Sequence, residues 1–65
     1  MEDTVKLLDE ITVDNVKKQI ADGWTSSFFI AEHIIGDAIW ECLPDWDRKI
    51  ITARVHRVIR ENKLL

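Results

Sequence analysis

Residues 45–65 read DWDRKIITARVHRVIRENKLL, and this stretch decides the fold class. Ile51, Val55, Val58 and Ile59 recur at helical spacing, so one stripe of a helix is apolar. Pro44 stands just ahead and stops whatever precedes it. The helix therefore starts near Asp45 or Asp47. With Asp47 as cap, Trp46 and Ile51 have hydrophobic-staple spacing. Asn62 closes the helix, because Asn tolerates the left-handed conformation. Away from the apolar stripe, Lys49, Ala53, His56, Arg60 and Lys63 follow the spacing of a second face, which is basic.

The same grammar holds upstream. Thr12 is a good N-cap, Asp14 sits in the first turn, and Ile11 and Val16 have staple spacing. Val13, Val16 and Ile20 make the stripe of a helix over Val13 to Asp22, and Gly23 can end it. A second helix is expected behind Thr25 as cap, with Trp24 and Phe29 as staple. Ile30, Ala31, Ile34 and Ile35 share its apolar face, with Phe28 on the flank. Continuing it unbroken to Leu43 would put Glu32 between Ile39 and Leu43 on the apolar side. The spacing therefore predicts a break near Gly36 and a short helical turn from Asp37 to Leu43. Residues 1–10 read as a short strand or a frayed helix, carried by Val5, Leu7 and Leu8. Few breakers and few alternating runs give an all-α domain of three or four helices.

Sixty-five residues make one domain, 1–65, and a hydrophobic fraction of 46% is enough to fold it. No apolar run reaches the roughly 18 residues of a membrane span, and no basic start with an apolar core marks a signal peptide. Membrane binding is not expected, and the expected compartment is the cytoplasm. A single Cys42 rules out an internal disulfide and any CxxC motif. It lies in an apolar stretch with no basic neighbour and reads as an inert packing residue. His33 and Asp37 are one helical turn apart, but a zinc site needs about four ligands. Ser26 and Ser27 follow a helix start and read as caps, and the two glycines do not make a phosphate loop. Asp45 and Asp47 read as capping residues after Pro44 rather than as an acid pair. No enzyme, metal, cofactor or small-molecule substrate is expected.

Charge divides the chain. Residues 1–47 carry a net −8 and residues 48–65 a net +5, with Glu61 the one acid of the second part. Such asymmetry points to a basic surface that meets an anion, or to two halves that neutralise each other. The residues whose place on the outward face leads them to be expected in DNA binding are Lys49, Thr52, His56, Arg57, Arg60 and Lys63. Long donors reach phosphates and guanine edges, while Thr52 and the small Ala53 permit close approach. The alternative is a protein-binding module. Eleven of the sixteen residues 28–43 are apolar, more than a small domain readily hides. Phe29, Trp40 and Leu43 are expected to stay partly exposed as an interface, with a second copy or with a host protein. Small acidic phage proteins act as inhibitors or adaptors in this manner.

The stretch from Val16 to Leu65 resembles a helix-turn-helix domain of the winged-helix kind. VKKQIADG gives the first helix, Ile30, Ala31 and Ile34 the I-A-x-x-I element of the second, and RVHRVIRENKLL the end of the last. The resemblance implies that the last helix reads DNA, with Arg54, His56, Arg57 and Arg60 in it. Two departures stand out. Gly36 to Trp46 inserts an apolar turn where the family has a short connection, and the wing is absent or truncated.

Overall fold

The computed structural model describes residues 2–65. Among them it places five helices and no strand: α1 (Glu2–Asp9), α2 (Val13–Ala21), α3 (Ser27–Ile35), α4 (Asp37–Cys42) and α5 (Asp45–Asn62). The domain is all-α, and four of its helices lie where the spacing puts them. The fifth, α1, turns Leu7 and Leu8 onto the core, so the N-terminal segment is helix and not strand. None of the described helices is long and apolar enough to cross a membrane.

The core is one cluster: Ile11, Val16, Ile30, Ala31, Ile35, Trp40, Ile51, Val55 and Ile59, all buried. α5 is its axis. At about 1.5 Å per residue its 18 residues span roughly 27 Å, nearly the whole 29 Å long dimension of the molecule. Its stripe of Ile51, Val55 and Ile59 meets α3, α2 and α1 in turn, while α4 packs on α3. Each of the larger buried side chains contributes roughly 1.5–3 kcal/mol on leaving water.

Local chemistry sets the helix ends. Thr12 Oγ1 accepts the Asn15 N–H at 3.1 Å, and the staple partners Ile11 and Val16 are both buried. Asn15 Nδ2 donates to the Glu10 carbonyl at 2.7 Å, tying α2 to the end of α1. Gly23, at φ 104°, closes α2: its N–H donates to the Ile20 carbonyl and the Trp24 N–H to the Gln19 carbonyl. At the other end of the chain the left-handed residue is Lys63 (φ 53°), one place beyond the expected Asn62. Asn62 stays helical, and its side-chain amide donates to the Val58 carbonyl. The later reversal lets the Leu64 N–H reach the Ile59 carbonyl at 3.0 Å while Leu64 packs on the core.

Three expectations are corrected. The cap of α3 is Ser26, one residue after Thr25, and its side chain makes no capping hydrogen bond. The staple contact nevertheless forms, with the Trp24 and Phe29 rings 5.8 Å apart. α5 begins at Asp45 behind Pro44, whose carbonyl accepts the Arg48 N–H. Trp46 therefore sits inside the first turn, 72% exposed, and does not staple Ile51. Trp40, expected at an interface, is 3% exposed and belongs to the core.

The cause of the last correction is Gly36. In a straight continuation of α3, at 100° per residue, Trp40 would lie roughly 160° round the axis from the middle of the buried Ile30, Ala31 and Ile35 face, pointing away from the core. Gly36 adopts φ 99°, ψ 140°, a region almost closed to other residues, and turns α4 so that Trp40 points inward. Arg48 then locks the joint. Its Nε donates to the Trp40 carbonyl at 3.0 Å and its Nη2 to the Glu41 carbonyl at 3.1 Å. Its guanidinium carbon lies 5.9 Å from the Trp40 ring centre, and Nη1 is 3.7 Å from Asp45. The carbonyls that α4 leaves open at its C-terminus are thus capped from α5.

Three stability outcomes follow, all measurable by urea denaturation. Thr12→Ala costs about 1 kcal/mol, whereas Thr25→Ala stays within about 0.5 kcal/mol. Gly36→Ala costs about 1–3 kcal/mol although no atom stands within 4 Å of the added Cβ, because the strain is in the backbone. Arg48→Ala costs about 1–2 kcal/mol through the two lost carbonyl bonds, reduced by the partial exposure of the side chain.

Candidate nucleic-acid interface

The buried stripe of α5 determines what its other side presents. On the side of α5 turned away from Ile51, Val55 and Ile59 stand Lys49, Ala53, His56 and Arg60, all exposed and in one row, and Lys63, also exposed, follows at the left-handed helix end. Thr52 borders the row and is half-buried. Arg57 flanks it on one side, and Arg54, exposed as well, lies farther round the helix and apart from the rest. Of the seven residues expected to contact DNA, the helix thus gathers Lys49, Thr52, His56, Arg60 and Lys63, with Arg57 beside them.

The fold does not neutralise this face. Among the described residues the ion pairs of α5 are both internal to it, Arg48 with Asp45 and Arg57 with Glu61. Among the described residues, Asp45 is the one acid of residues 1–47 within ion-pair distance of an α5 cation, and its partner is Arg48, not a residue of the row. The Arg57–Glu61 contact, 3.3 Å between two side chains more than half exposed, is worth at most about 1 kcal/mol, so an incoming anion can replace it.

The N-terminal half of the row borders an open groove of about 590 Å³ between α5 and the start of α3. Lys49, Thr52, Ala53 and His56 line it from α5, Ser27 and Phe28 from α3, and the Arg48–Asp45 pair closes one end. Phe28 is 44% exposed, its ring set nearly perpendicular to Trp40 and to Phe29 at centroid distances of 5.4 and 5.8 Å. The sequence places Phe28 on the flank of the α3 apolar face. In the fold the ring packs edge-on against Trp40 and lines the groove that α5 closes from the other side. Periodicity within α3 does not show what α5 brings beside it, so Phe28 reads as a flank residue and not as part of the site. Arg48, which counts toward the +5 of residues 48–65, is not free for an anion, since its guanidinium is committed to the carbonyls of α4.

The three residues expected to form an apolar interface do not share a surface. Phe29 is 47% exposed on the outer face of α3, where Trp24 lies across it and His33, with 4.2 Å between the Trp24 and His33 rings. Leu43 is half-buried in a second groove, between α1 and α4, lined also by Leu7, Ile39 and Cys42. Trp40 is inside. Cys42 is exposed, not packed, because the bend that buries Trp40 turns the thiol outward. Among the described residues no three His, Cys, Asp or Glu side chains gather in a way that could hold a metal.

The chain was also set against known proteins, and it matches no family model, no curated protein and no solved structure.

Proposed function

We propose that this chain is a small, non-enzymatic DNA-binding regulator that engages DNA through the outward face of α5. The observation that carries this reading is the exposed row of Lys49, His56, Arg60 and Lys63, to which no described acid of the N-terminal half is paired. Cations held in a row on a rigid helix suit successive phosphates, and the small Ala53 between them lets the helix backbone come close to the bases. The helix-turn-helix resemblance supports the same orientation. In that motif the last helix enters the major groove while the helix before it crosses the backbone, and here α3 packs on α5 with its first turn beside the row.

The overall charge of −3 opposes long-range attraction, so binding rests on a few close phosphate contacts and falls steeply with salt. A second reading, a protein-binding module, is favoured by the exposed Trp24, Phe28, Phe29 and Trp46. The two differ in their response to salt, since an apolar interface has no comparable counterion release.

The test is the double variant Arg57→Ala, Arg60→Ala. Neither side chain touches the core, so the melting temperature stays within a few degrees of the parent. Affinity for a random-sequence duplex drops, and the slope of log K against log salt falls in magnitude by about 2. A parent protein with no affinity for duplex or single-stranded DNA even at low salt rules the reading out.

A further inference from the structure

We propose that the groove between α3 and α5 accepts an unpaired nucleobase, so that the preferred ligand is DNA with a single-stranded or unstacked segment, not perfect duplex. This rests on the DNA-binding reading above and specifies which form of DNA the same face takes.

The argument begins with a mismatch between Phe28 and its position. A cationic helix face that touched only a duplex backbone would have no use for a large apolar ring beside it. Phe28 nevertheless stands 44% exposed against that row, where it forms one wall of the groove. It is also held in place, since Trp40 lies beneath it and Phe29 beside it, and Trp40 is itself anchored in the core. A preset aromatic ring next to cations is the arrangement that binds single strands. The base stacks on the ring, the cations follow the backbone, and the contact tolerates any sequence because every base has a π-face.

The opposite wall fits the rest of a nucleotide. Ala53 leaves room where a larger side chain would fill the space, and about 590 Å³ falls in the range of roughly 300–1,000 Å³ typical of small-molecule sites. Lys49 and His56, both exposed and without an ion-pair partner among the described residues, stand at the edge for the flanking phosphates. Arg60 and Lys63 continue the cationic track along the helix. On the floor, Thr52 Oγ1 is buried and has no hydrogen-bond partner. A threonine in a helix divides between two χ1 rotamers, so this hydroxyl can turn toward a base edge in the groove. The acid at the groove's end, Asp45, faces Arg48 and does not stand alone against an incoming phosphate.

The experiment compares three labelled oligonucleotides by fluorescence anisotropy at low salt: a 15-nucleotide thymine strand, a perfect duplex of the same length, and that duplex with a central three-thymine bulge. The proposal expects the strand and the bulged duplex to bind at least tenfold more tightly than the perfect duplex. It expects Phe28→Ala to weaken the strand by roughly 5- to 150-fold, the loss of one base stack, and to leave the perfect duplex nearly unchanged. Phe28 also touches Trp40, so a second variant guards against misfolding. Ala53→Met fills the groove from an exposed helical position, keeps the circular dichroism and melting temperature, and abolishes the preference for unpaired DNA. In the parent protein, the methyl resonances of Thr52 and Ala53 shift when the thymine strand is added. Equal binding of all three oligonucleotides, with Phe28→Ala and Ala53→Met silent, overturns this proposal and leaves the DNA-binding reading standing. Failure to bind any of them overturns both. Methyl shifts produced by an acidic amphipathic helical peptide and by no oligonucleotide assign the groove to a protein partner and likewise overturn it.

Discussion

The backbone reversal at Gly36 is the constraint on which the rest of the molecule depends. Without it α3 would run on, and Trp40 would face solvent. With it, Trp40 enters the core, its carbonyl and that of Glu41 turn toward α5, and Arg48 clamps them. That clamp sets where α5 begins relative to α3 and therefore how far the row from Lys49 to Lys63 stands from Phe28. The ring of Phe28 in turn rests on Trp40. A single residue without a side chain thus determines the spacing between an aromatic wall and a cationic wall at the surface.

How much of this could be read in advance depended on the range of the interaction. Features decided within one helical turn were legible: the Thr12 cap, the Gly23 stop, the stripe of Ile51, Val55 and Ile59, and the interruption at Gly36. Features decided by three-dimensional direction were not. The pattern shows that the chain breaks at Gly36 but not which way α4 then points, so the placements of Trp40 and Cys42 came out reversed. The shift of the α3 cap from Thr25 to Ser26 is a one-residue effect between two competent hydroxyls, and nothing local separates them. Trp46 was misplaced because Pro44, fixed near φ −65°, serves as the helix boundary itself and leaves no room for a further capping residue. On the candidate surface, the outward row of α5 was legible from periodicity. The contribution of α3, which comes from another part of the chain, was not.

The uneven charge of the sequence takes a definite form in the fold. Residues 1–47 and 48–65 carry −8 and +5, and among the described side chains the one ion pair across that divide is Arg48 with Asp45. Lys49, Arg60 and Lys63 have no ion-pair partner among the described residues. On the proposed DNA-binding reading, the net charge of −3 repels a polyanion at long range while the exposed cations of α5 attract it at short range.

The three tryptophans give the fold an optical consequence. Trp40 is sealed in the core under Phe28, Trp24 lies partly covered against His33 and Phe29, and Trp46 stands in solvent. Intrinsic fluorescence therefore samples interior, rim and water within one small chain. Red-edge emission belongs to Trp46 in the folded protein, and the blue component reports the integrity of the Trp40 joint. An external quencher removes the first long before it reaches the second, so each layer of the structure can be followed separately without a label.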